Sequence, residues 1–195
     1  MAKKSSLSLD ISQGSFCGPD VNTGATLSDV YIIPLKDLNR DATQFNTTDK
    51  CIIEALSMIG TGSRAFKYTA VDGSISSNAT IVQRDSLNDV FRHDVTFALT
   101  ANTEAERREI EKLLREDVAV AYQKTNGEIT VLGYDSGLRL SGDFVFTEGG
   151  ENADQLVPTL STREPKVELN KGYSLFITDA ATSLAVLESL LNEVV

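Results

Sequence analysis

Val118-Ala119-Val120-Ala121-Tyr122-Gln123-Lys124 and Glu128-Ile129-Thr130-Val131-Leu132-Gly133 are two β-favouring runs on either side of Asn126-Gly127. Asn-Gly tolerates the positive φ of a tight turn, so the stretch predicts an antiparallel hairpin. The surrounding chain continues in the same style. On the C-terminal side, Gly137–Gly142 and Phe144–Thr147 extend a sheet. Lys166–Asn170 and Tyr173–Thr178 have the composition of closing strands. On the N-terminal side, Phe66, Tyr68 and Ala70 alternate with Lys67, Thr69 and Val71, and residues 79–84 are β-favouring. In Val90–Leu99 the alternation puts Val95, Phe97 and Leu99 on one face, with His93 before them.

Two helices interrupt this β pattern. Thr103 followed by Glu106 is a capping box, and Ala105, Ile110, Leu113 and Leu114 form one apolar stripe. Glu104, Arg107, Arg108, Glu109, Glu111 and Arg115 make its solvated face, and the helix should end near Asp117. A C-terminal helix is expected after Thr178 or Asp179, with Leu184, Leu187, Leu190, Leu191 and Val194 on its inner face. The first sixty residues are turn-rich. They hold one short strand, Val30–Ile33, stopped by Pro34, and an apolar run, Cys51–Ile59, that fits helix and strand equally. The expected organisation is an α+β, mainly β chain. Residues 1–64 form a loop-rich arm with short strands, 65–178 a β-rich core with its helix near 103–117, and 179–195 an amphipathic C-terminal helix.

Bulk properties narrow the function. The chain has 195 residues, 41% of them hydrophobic, and no stretch nears the ~20 apolar residues of a membrane span. Met1–Ser8 carries two lysines, but polar, alternating residues follow in place of an apolar signal region, so neither a signal peptide nor membrane insertion is expected. Twenty-eight acids against eighteen Lys and Arg give a net charge of −10. No basic cluster beyond Lys3-Lys4 is present for phosphate backbones, and an acidic wall would repel DNA. Cys17, Cys51 and the single histidine are too few for a zinc site, and free thiols in a reducing cytosol are expected.

Catalytic chemistry finds little to work with. Adjacent strand residues face opposite sides of a sheet, so Arg92 and Asp94 do not orient His93, which is expected to be structural. Gly60-Thr61-Gly62-Ser63-Arg64 precedes a strand rather than a helix, so a turn fits it better than a dinucleotide fingerprint. Glu104, Glu106, Glu109 and Glu111 belong to the helix face rather than to a carboxylate pair. No catalytic residue, metal ligand or cofactor is assigned, and an enzyme is not expected.

The order of elements carries a resemblance. It runs from Phe66-Lys67-Tyr68 through Phe91–Phe97 and the charged helix Ala105–Leu114. It continues with Val118–Tyr122, Asn126-Gly127, Val131–Leu138 and the late Asn170-Lys171-Gly172-Tyr173-Ser174-Leu175. This resembles small structural proteins of phages and prophages of gut-type Bacteroidota, similar in outline to tail-tube and tail-ring subunits. The likeness spans a little over half the chain, in turn and packing residues. The arm before Ala65 and the helix after Thr178 depart from it.

What the resemblance implies is an antiparallel β-sandwich or partly rolled barrel whose sheets join between subunits into a ring, expected to be a hexamer, in the virion tail. The protein would be made in the bacterial host cytoplasm, would meet neighbouring tail or neck proteins, and would let DNA pass without specific binding. A ring disposes of open sheet edges by pairing each with a neighbour. Candidate assembly contacts are Gly149, Gly150 and Asn152 of the Glu148–Asp154 loop, the arm Met1–Thr26, and Leu184, Leu187 and Leu191. A neck, tail-hub or adaptor ring subunit is the nearest alternative. A carbohydrate- or surface-binding β-domain with Tyr68, Tyr122 and Tyr134 as a stacking platform is the rival of another class, disfavoured because sugar stacking prefers the tryptophan this chain lacks. A small hydrolase using acidic residues ranks last.

Overall fold

A computed structural model of the chain describes residues 26–82, 90–100, 103–141, 145–147 and 155–192. The strands before the first helix are β1 (Thr26–Pro34), β2 (Gln44–Phe45), β3 (Ile52–Ala55), β4 (Phe66–Thr69), β5 (Ser76–Val82), β6 (Val90–Thr96) and β7 (Leu99–Thr100). Helix α1 (Glu104–Lys112) is followed by β8 (Val118–Lys124), β9 (Ile129–Leu132), β10 (Leu138–Leu140), β11 (Val145–Thr147) and β12 (Gln155–Val157). The chain closes with β13 (Thr159–Thr162), β14 (Tyr173–Leu175) and helix α2 (Ala180–Ser189). The fold is α+β, mainly β, as the patterning predicts.

Eleven strands form one mixed sheet ordered β2-β3-β14-β9-β8-β10-β13-β6-β5, with β1 paired to β4 and β8 beside that path. A three-stranded sheet, β11-β12-β7, stands apart. The large sheet curls without closing. β8 meets β10 through the single pair Leu138↔Val118, and beyond it Ser77 of β5 comes within 2.6 Å of Tyr122 of β8, hydroxyl to hydroxyl.

β1 and β8 sit at the centre and are buried on both faces, which is why β8 is an unbroken apolar run rather than an alternating one. Val30, Ile32, Val118, Val120 and Tyr122 face one core, shared with Val95, Phe97, Leu160 and, from α1, Ile110 and Leu113. Tyr31, Ile33, Ala119 and Ala121 face the second, shared with Ile129, Val131, Leu175 and Leu187 of α2. Alanines fill the second face of β8, in the same cluster as Leu175 of β14 and Leu187 of α2.

Several expectations are corrected here. Residues 26–64 are not a peripheral arm, because β1 pairs on both sides at the heart of the sheet and β2 and β3 complete one end of it. A break at 64 would cut through the core. Cys51–Ile59, open between helix and strand, yields β3. Lys166–Asn170 is not a strand and touches the sheet by one bridge, Phe91↔Glu168. Val90–Leu99 divides after Thr96, and Leu99, together with Thr100, joins the small sheet as β7.

The capping box at Thr103 forms as predicted, but α1 ends at Lys112, short of Asp117. Its inner face runs through Glu109, Ile110 and Leu113, so Leu114 is exposed and Glu109 is 1% exposed, held by Lys112 Nζ at 2.6 Å. A helix stripe read from apolar residues alone is rotated here by one position.

Candidate functional site

Two polar regions merit comparison as sites. The first is a buried network at the turn Gly133–Gly137, between β9 and β10. Gly133 has φ 72°, and a Cβ there would lie 2.5 Å from Leu138 Cγ, so the backbone of this turn packs too closely for any side chain. His93 of β6 points at the turn and is 0% exposed. Its Nδ1 accepts the Gly133 N–H at 3.1 Å and its Nε2 lies 2.8 Å from the Asn170 carbonyl, an arrangement that suits the neutral tautomer protonated on Nε2.

The neighbouring groups are equally committed. Glu168, also fully buried, accepts the N–H groups of Asp135 and Ser136 at 2.9 Å each. Asp135 accepts the Tyr173 hydroxyl and the Leu169 N–H at 3.0 Å, and Asn170 Nδ2 donates to that hydroxyl at 2.8 Å. Tyr134, Tyr173 and Phe45 pack ring against ring at 5.1 to 5.7 Å over it. Each of these polar groups holds a backbone or side-chain partner, so the network clamps the irregular 166–173 segment to β6 and to the β9–β10 turn.

Burial pushes the His93 imidazole below its ordinary value, against the opposing pull of the Asn170 carbonyl and of Asp135 and Asp94. Burial pushes the Glu168 carboxyl up, against the amides that hold it. The unfolded chain takes up a proton on His93 near pH ~6.5 while the fold resists it, so this residue's contribution is present above that pH and lost as pH falls below it. Glu168 acts in the opposite sense, contributing more as pH falls toward the ordinary carboxylate range. Urea titrations of wild type and His93→Gln separate the two. Wild type should lose more stability than the variant between pH ~7 and ~5.5. Parallel pH profiles would show that His93 does not titrate with unfolding.

The second region is the edge of the large sheet at β5. β5 pairs with β6 over all seven residues, Ser76↔Thr96 to Val82↔Val90. Among the described residues no strand pairs with its other side. Its side chains are Ser, Ser, Asn, Ala, Thr, Ile and Val, with none of the charges, prolines or bulges that usually blunt an edge. Ile81 is 57% exposed there. Beside β5 the curl of the sheet leaves a groove of about 560 Å³, lined by Ser77, Asn78 and Ala79 of β5 and, across from them, by apolar residues such as Phe176 and charged ones such as Lys124 and Glu128. The Thr130 hydroxyl is shut off from solvent with no hydrogen-bond partner among the described residues.

The candidate residues named from the sequence fall as follows. Gly149, Gly150 and Asn152 lie outside the described residues, as does most of the arm Met1–Thr26. Leu187 is fully buried in the second core, with Leu184 and Leu191 packed partly against it, so this leucine face is occupied within the chain. Tyr68, Tyr122 and Tyr134 are all buried, at 0%, 4% and 6% exposure, and cannot form a stacking platform. Cys51 is a half-buried free thiol. Among the described residues no helix is long and apolar enough to cross a membrane. The β5 edge was missed because its β-favouring residues mark a strand without saying whether the strand is inner or outer. Compared with known protein families, with characterised proteins and with solved structures, the chain has no significant match.

Proposed function

We propose that the chain is a non-enzymatic structural subunit of a bacteriophage tail, which joins copies of itself into a ring or tube around the DNA channel. The observation that carries the self-assembly is the β5 edge: seven uncharged residues with one side of their backbone unpaired among the described residues, the longest of the strands that pair on one side only in the large sheet. An edge of this kind is a template for another strand, and pairing it with a neighbouring subunit satisfies its free backbone groups. The clamp at His93 and Glu168 favours a structural over a catalytic use of the chain's buried ionisable groups, since both bind backbone. The net charge of −10 suits a channel wall through which DNA passes without adhering. The assignment to a tail rests on the resemblance in element order.

Sedimentation and negative-stain microscopy of the purified full-length chain test this reading. Closed rings or stacked tubes are expected. A monodisperse monomer at every concentration would exclude self-assembly. Rings whose antibodies fail to label phage tails would exclude the location and leave the assembly standing.

A further inference from the structure

We infer that the open edge of β5 receives residues 7–12 of a neighbouring copy's N-terminal arm as an added strand. This rests on the self-assembly proposed above and names the contact that produces it. Three observations support it independently.

The receiving site has two faces of different character. Toward the groove, Ser77, Ala79 and Ile81 alternate along β5, opposite Val95, His93 and Phe91 of β6. Leu132 and the 48% exposed Phe176 line the groove beyond, together with the charged Asp49, Lys124, Glu128 and Lys171. Between them, Asn78, which also reaches the groove rim, and Thr80 lie across from Asp94 and Arg92. A strand that completes this edge must therefore be apolar on alternate residues and polar between them.

The sequence of the arm contains such a pattern. Leu7-Ser8-Leu9-Asp10-Ile11-Ser12 alternates strictly over six residues. Placed beside β5, Leu7, Leu9 and Ile11 cover Ile81 and the groove floor, while Ser8, Asp10 and Ser12 join the polar outer face. A slip by one residue would turn all three apolar side chains away from Ile81, Leu132 and Phe176, so the pattern specifies the facing.

The tether has the required length and origin. β1 begins at Thr26, opposite Lys124, which itself lines the groove. Residues 13–25 separate Ser12 from Thr26, thirteen residues in all, reaching at most about 44 Å when extended. A compact chain of this size is about 40 Å across. The arm therefore reaches the equivalent edge of an adjacent subunit. Folding it back would cap the edge that assembly uses, whereas exchange pairs each β5 edge with a neighbour's arm and links the subunits.

The test uses full-length chains in which Cys17→Ser and Cys51→Ser remove the native thiols. One set carries Leu7→Cys, Leu9→Cys or Ile11→Cys, and a second chain carries Ala79→Cys. The two are mixed, assembled and oxidised. A covalent dimer of an arm variant with the Ala79→Cys chain is expected, and Ser8→Cys or Asp10→Cys should give several-fold less of it because those residues face away. Particles that form with no arm-to-β5 cross-link overturn the inference and leave the proposed function intact. Placing both cysteines on one chain and recovering only an internally linked monomer shows the arm on its own β5, and likewise overturns it. A wild-type chain that never assembles overturns both, and is recognised before any cysteine is introduced.

Discussion

Replacing His93 by alanine should destabilise the fold by about 3–5 kcal/mol, from the cavity together with two orphaned backbone groups. The imidazole is the only described side chain that joins the Gly133 N–H to the Asn170 carbonyl, at 3.1 and 2.8 Å, and both partners are main-chain groups that cannot turn away. Losing it opens a polar hole between β6 and the β9–β10 turn, where Gly133 is already in close contact with Leu138. For a chain of this length the change corresponds to a fall of about 10 °C in melting temperature. His93→Gln keeps an acceptor and a donor on a side chain of similar reach and should recover part of the loss. Thermal and urea denaturation measure both variants. Equal stability of His93→Ala and wild type would show that water or a neighbour replaces the imidazole, and the clamp would then not depend on it.

Ile81→Lys should abolish assembly while leaving the folded subunit within about 0.5 kcal/mol of wild type, since a substitution at an exposed site away from the core changes stability little. Ile81 is 57% exposed and lies on the uncharged β5 edge. A charge there is the device by which natural edge strands refuse partners. Ile81→Asp separates edge blocking from net charge. If the edge itself joins subunits, both variants sediment as monomers. If only the overall charge of −10 matters, the aspartate and lysine variants should diverge. Undiminished assembly of both would remove β5 from the interface.

Much of the fold was legible wherever a local signal coincided with the final environment. Asn126-Gly127 makes its turn because glycine accepts φ 87° at Gly127, and the β8–β9 hairpin follows. Thr103 and Glu106 close a capping box within four residues of chain, so no distant contact can alter it. Asp179 caps α2 by accepting the Thr182 N–H in the same local way. Val95, Phe97 and Leu99 all turn inward as their alternation predicts.

Long-range pairing settled the remainder. Nothing local in Val30–Ile33 distinguishes a stray strand in a loop-rich arm from the central strand between β4 and β8. Glu109 is buried because the sheet lies against that side of α1, although its composition suggested solvent. The clamp joins residues 93, 133, 135, 168 and 170, which no spacing rule associates. The edge status of β5 is of the same kind. Its sequence dictates that it can pair, through β-favouring, uncharged residues and a period of two. Which side remains unpaired depends on where ten other strands have gone, and a strand becomes an edge only through the absence of a neighbour.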